Sequence, residues 1–144
     1  MKKLIEALKA QSGVGQLLVR LMMAEVLIVA GFSKFFVSGL DRVTTMFDGY
    51  GIIPIPQIIA PFIAALELIG GILLALGLFT RYLGVLYTIE FIVAAYVKYA
   101  IVPPPAGGYL GSRLDTMLIV VAILLATNGA GRISLDAKLG RSDA

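Results

Sequence analysis

The chain has no cysteine, no histidine and no tryptophan, and only 15% of its 144 residues are charged. Lacking Cys and His, it can carry neither thiol–disulfide exchange nor a Cys-ligated iron–sulfur cluster, and neither a His-ligated haem nor the usual zinc sites. Carboxylate-rich metal sites in helical bundles normally add His on a Glu-x-x-His pattern, so a metal centre built from glutamates alone is not expected either. The scarcity of charge sets the chain apart from soluble domains, in which about a quarter of residues are charged. What replaces charge is apolar: 59% of residues are hydrophobic and the mean hydropathy is +0.95.

The apolar residues fall into four stretches, about 16–37, 58–79, 83–102 and 111–128. A helix needs about 20 apolar residues to cross a hydrocarbon core of roughly 30 Å. Three stretches meet this outright, and the fourth does so with Arg113 snorkelling to the headgroups. The fold expected is therefore all-α: an integral membrane four-helix bundle, one domain over 1–144. Residues 2–10 read as a short N-terminal amphipathic helix on the membrane surface, with Leu4, Ile5 and Leu8 opposite Lys2, Lys3, Glu6 and Lys9. No A-x-A-like cleavage site follows, so the first span is expected to be retained.

With four spans, Lys2, Lys3, Lys9, Arg81, Arg132, Lys138 and Arg141 share one side. The positive-inside rule then places both termini in the cytoplasm, for a multi-pass protein of a bacterial-type plasma membrane. The pI of about 9.3 reflects this topology and contact with anionic lipid rather than nucleic-acid binding. The connection 38–57 should hold an interfacial helical turn around Leu40, Val43, Met46 and Phe47, then an extended segment with Pro54 and Pro56. Pro61 is expected in the first turn of the second span. Small residues from Ala60 to Gly77 mark that span as the central packing helix.

Eight ionisable residues lie within or at the rims of the spans: Arg20, Glu25, Lys34, Glu67, Glu90, Lys98, Arg113 and Asp115. A charge at the bilayer centre costs about 2.5 to 3.5 kcal/mol on insertion scales, so such groups are normally paired and face the bundle interior. Glu25, Glu67 and Glu90 reach similar depth on three helices, with Arg20 approaching from the cytoplasmic side. These four are expected to form a buried polar network in which Arg20 pairs with Glu67. At matching depth, Glu25 and Glu90 are expected to line a pocket that donates a hydrogen bond to a ligand carbonyl such as that of a quinone. Lys34, Lys98, Arg113 and Asp115 are expected to gather on the external side. The alternative is that all these charges pair only to fix packing. Tyr82, Tyr87, Tyr96, Tyr99 and Tyr109 fall mostly near span ends and read as an aromatic belt.

Three segments carry a family resemblance: AGFSK at 30–34, preceded by Arg20; ALELIGGILLALGLFTR at 65–81; and NGAGRISLD at 128–136. In this order the chain resembles the DoxX family of small four-span membrane proteins over about 17–136. The resemblance points to Arg20, Gly31, Lys34, Glu67, Gly71, Gly77, Gly131, Ser134 and Asp136. Glu25 and Glu90 depart from it, standing where apolar residues are expected, and Asp115 takes the approximate place of a glutamate. What the resemblance implies is association with respiratory or detoxifying redox systems, including a quinone-reducing thiosulfate dehydrogenase subunit.

The expectation is thus a membrane subunit of a redox system that binds quinone or anchors a partner oxidoreductase, with no covalently bound cofactor and with quinone as the candidate ligand. Whether it is itself an enzyme is left open. The partners implied are the lipid bilayer, an oxidoreductase subunit and further copies of the chain in a homo-oligomer. The rival is a non-catalytic scaffold or stress-response protein. A small-molecule transporter stands third, since inverted repeats and broken helices are missing.

Overall fold

The computed structural model describes residues 2–140, and side chains from residue 13 onward. Among these residues the structure is mostly helical, without strands. Four helices are long and apolar enough to cross a membrane, Gly13–Val37, Pro56–Leu76, Thr80–Ala100 and Gly108–Asn128, the last three starting two or three residues before the expected boundaries.

Helix α1 (Lys2–Phe32) carries the first span and ends in a π turn at Ser33–Val37. The helix expected over 2–10 forms as the leading turns of α1, with no break before the span. Helix α2 (Leu40–Gly49) occupies the long connection and buries Val43. The second span has three pieces: α3 (Pro56–Ala65), a π turn at Leu66–Gly70 and α4 (Gly71–Leu76). Pro56 supplies the fixed φ of a first helical position. Pro61 therefore lies in the second turn of α3 rather than the first, because the helix begins earlier than the apolar run suggests. Helices α5 (Thr80–Ala100) and α6 (Gly108–Asn128) are the third and fourth spans, and α7 (Leu135–Lys138) closes the chain.

The spans pack as two hairpins. Helix α1 lies against the second span, α5 lies along α6 in the most extensive pairing of the fold, and α2 rests on α3. Close approach rests on missing Cβ atoms, as expected in a bilayer. A Cβ on Gly31 would stand 2.5 Å from the backbone nitrogen of Leu68, and one on Gly84 would stand 2.6 Å from that of Ala126. Gly71 approaches Ile28 in the same way. A core of Met23, Ala24, Leu27, Leu74, Leu83, Tyr87, Phe91, Leu118, Ala122 and Leu125 draws on all four spans and joins the hairpins.

Helix α4 stops where Gly77 takes a left-handed conformation at φ 74°. The amide of Gly77 donates to the Leu74 carbonyl (3.0 Å) and that of Leu78 to the Leu73 carbonyl (2.9 Å), the paired bonds of a Schellman ending. Only two residues separate this ending from α5. The tight reversal leaves the turn between the second and third spans on the same face as the segment after α6, where the first of two polar centres forms.

Candidate functional site

The first centre is built on Arg20, which is 2% exposed. Its guanidinium donates through Nη1 to the carbonyl of Ala130 and through Nη2 to those of Ile133 (2.9 Å) and Ala75 (3.5 Å). One turn earlier on the same face, the Gln16 amide donates to the carbonyls of Gly129 (2.7 Å) and Asn128 (3.3 Å). These two side chains bind the backbone of the NGAGRISLD segment to α1. Ser134 caps α7, its hydroxyl accepting from the amide of Ala137 at 3.1 Å and donating to the Gly131 carbonyl at 2.7 Å. Buried Asp136 accepts from the amide of Thr80, the first residue of α5, at 3.4 Å, which sets a carboxylate at the positive end of that helix. Gly77 is packed beneath: a Cβ there would stand 2.7 Å from Arg20 Nη1 and 2.6 Å from the Cβ of Ser134. This centre is a knot of backbone carbonyls and one carboxylate, closing the face of the bundle that holds the 77–80 turn and the segment after α6.

The second centre lies halfway along the second and third spans, where the end of the first span meets them. Lys34 in the first π turn forms an ion pair with Glu67 in the second. Both members thus sit in π turns, a local widening of the helix that recurs at functional sites. Glu90 on α5 stands beside Glu67, with Lys34 and Asp115 in the same electrostatic neighbourhood. Although Glu90 is only part-buried as a residue, its Oε2 is sealed and has no hydrogen-bond partner. Tyr87, wholly buried one turn before Glu90, donates its hydroxyl to the Leu66 carbonyl at 2.9 Å. Gly70 makes room for that hydroxyl, which a Cβ would displace. Further toward the α2 face, Lys98 binds both oxygens of buried Asp115, at 2.8 and 2.9 Å.

Several expectations are corrected by this geometry. Arg20 does not pair with Glu67: it turns to the C-terminal segment, and Glu67 takes Lys34. Lys34 accordingly leaves the outer cluster for the central one. Arg113 is exposed and joins neither, so the outer cluster reduces to Lys98 with Asp115. Glu25 and Glu90 do not meet. Glu25 lies about 140° around α1 from inward-facing Arg20 and is exposed on the outer surface of the bundle, away from buried Glu67 and the sealed Glu90 oxygen. Matching depth fixed neither pairing, because depth says nothing of azimuth. Tyr87 is a core residue of the centre rather than part of a belt. Gln16 and Thr80 were not singled out either; the only trace was Gln16 standing one helical turn before Arg20.

The residues that carry the resemblance thus divide between two places. Lys34, Glu67, Gly31 and Gly71 form or seat the central pair, and Arg20, Gly77, Gly131, Ser134 and Asp136 form the closing knot. Compared with known sequences, residues 15–100 match the DoxX family. The chain belongs to the DoxX family. A DoxX relative from Bacillus subtilis (strain 168), named "Putative oxidoreductase CatD", is 34% identical over 123 residues, covering 85% of each chain. No solved structure matches. The DoxX match spans the first three membrane helices and hence Lys34, Glu67, Glu90 and Tyr87; Asp115 and the NGAGRISLD segment lie beyond it.

Proposed function

We propose that this DoxX protein is a membrane subunit of a redox system that binds a quinone at the Lys34–Glu67–Glu90 centre and holds an oxidoreductase partner at the membrane. One observation carries the reading: Glu90 presents a sealed carboxyl oxygen with no partner, beside a second carboxyl, in the interior of the bundle. Two ionised carboxylates offer each other only acceptors and repel at close range, so a proton on one of them would let Glu67 and Glu90 stand side by side. A protonated carboxyl donates to a carbonyl oxygen, and the ammonium of Lys34 stabilises negative charge that develops on such an oxygen. A quinone headgroup supplies that carbonyl on an apolar ring suited to lipid. When bound, the quinone would supply the electron-accepting chemistry; the residues of this chain would orient it and hold the proton. The name of the Bacillus subtilis relative supports a redox setting.

Both termini lie in the cytoplasm in this reading, since the knot face also carries Arg81, Arg132 and Lys138. The membrane is then a bacterial-type plasma membrane. A scaffold role is favoured by one feature, that Lys34–Glu67 joins the first span to the second and so contributes to packing.

The test is direct binding of a short-chain naphthoquinone or benzoquinone to the purified protein in lipid nanodiscs. The parent should bind, Glu90→Leu should bind at least about tenfold more weakly through loss of the hydrogen bond, and lipid-facing Val85→Leu should match the parent. If the parent neither retains native quinone on purification nor binds the added one, the scaffold reading replaces this one.

A further inference from the structure

Glu25 is the anomaly of the bundle. It lies near the middle of the first span, is exposed, and bonds to nothing among the described residues. Ionisable residues at that depth normally face the bundle interior or pair with one another. Here the buried stripe of α1, Arg20, Met23, Ala24, Leu27 and Gly31, faces the second span and the core. Glu25 stands on the opposite side, about 160° from Leu27 at 100° per residue.

The face it occupies is ordered. Leu18, Met22, Glu25, Val29, Phe32 and Phe36 follow one another at spacings of four and three residues, the seam of a helix–helix contact. The five apolar members are between 51% and 69% exposed. No other span covers this seam, because α1 packs on the second span with only a light touch on α6.

We propose that this face of α1 is where a second copy of the chain docks, forming a parallel two-fold pair in which the two Glu25 carboxyls hydrogen-bond to each other across the axis. The partner of a mid-membrane carboxyl must offer a polar group at the same depth. A second copy in the same orientation does so automatically, since it carries Glu25 at an identical height. The rest of the lipid-facing surface offers none: exposed positions of α5 at that level are Val85, Leu86, Ile89, Ile92 and Val93, and Thr116 on α6 already donates to its own helix, to the Ser112 carbonyl. An isologous contact through α1 is therefore the arrangement that satisfies Glu25. Because Glu25 is remote from the Glu67–Glu90 contact, the pairing is independent of quinone binding.

The absence of cysteine makes the test clean. Single cysteines at Met22 and Val29, oxidised in native membranes of cells making the full chain, should give a disulfide-linked homodimer, while Ile89→Cys on the lipid face of α5 should not. In detergent or bicelles, Glu25→Gln should dimerise like the parent, and Glu25→Leu should need roughly tenfold more protein per unit lipid to do so. Equal cross-linking at 22, 29 and 89 would reduce the contact to random collision and overturn the proposal. So would a Glu25→Leu variant that dimerises as readily as the parent, or cross-linking at Met22 to a different membrane protein without any homodimer.

Discussion

The closing knot around Arg20 and the central cluster around Glu67 use the same currency of buried charge in opposite ways. In the knot, a guanidinium is spent on backbone carbonyls, which cannot move without unfolding the segment that bears them. In the cluster, charged side chains meet charged side chains; each centre leaves one buried carboxyl oxygen without a partner, Asp136 Oδ1 in the knot and Glu90 Oε2 in the cluster. Burial alone does not separate the two, since Arg20 and Glu67 are both nearly sealed. What separates them is whether the partners are main chain or side chain. A group tied to main chain holds the fold, whereas a side chain paired with another side chain can change partner without moving the backbone.

On that contrast, Arg20→Met should produce the largest loss of stability, about 3 to 5 kcal/mol, since it frees three carbonyls and removes the buried cation in the electrostatic neighbourhood of Asp136. Arg20→Lys should recover little of it, because an ammonium cannot span the carbonyls of Ala75, Ala130 and Ile133 as a planar fork does. Unfolding by SDS titration from mixed micelles measures both. Glu67→Gln, read in the same assay, should lose only about 1 to 2 kcal/mol, because Lys34 is part-exposed and can snorkel. A Glu67→Gln loss as large as that of Arg20→Met would erase the distinction.

Gly31→Ala sharpens it from the other direction. The added methyl meets the backbone of Leu68 rather than a flexible side-chain end, so the first two spans must separate. A loss of about 1 to 3 kcal/mol is expected, together with weaker binding of the proposed quinone as Lys34 is drawn from Glu67, while the Arg20 knot stays closed. The smallest effect should come from Ser134→Ala, about 1 kcal/mol for the lost cap of α7, with ligand binding unchanged. Loss of binding in Ser134→Ala would mean that the two centres are coupled through the bundle.

Much of this was legible in the chain itself. Hydropathy marked four spans, the last three to within about three residues at each end, and lone charges in apolar runs marked where polar chemistry had to lie. Helical periodicity put Arg20 and Glu25 on different faces of α1. What could not be read was which charges meet. Arg20 is drawn to the NGAGRISLD segment because the helix ending at Gly77 and the two-residue turn after it bring that segment under α1, and no local pattern encodes this return. Lys34 reaches Glu67 because Gly31 lets the spans touch while both helices widen into π turns, a departure from 3.6-residue spacing that no residue type announces. Tyr87 looked like a rim residue by its place near the start of α5 and proved central because its hydroxyl fits over Gly70. Spans and their charges follow from the free energy of apolar transfer, which is local and additive along the chain. Partners follow from azimuth and close approach between helices, which exist only once the bundle is packed.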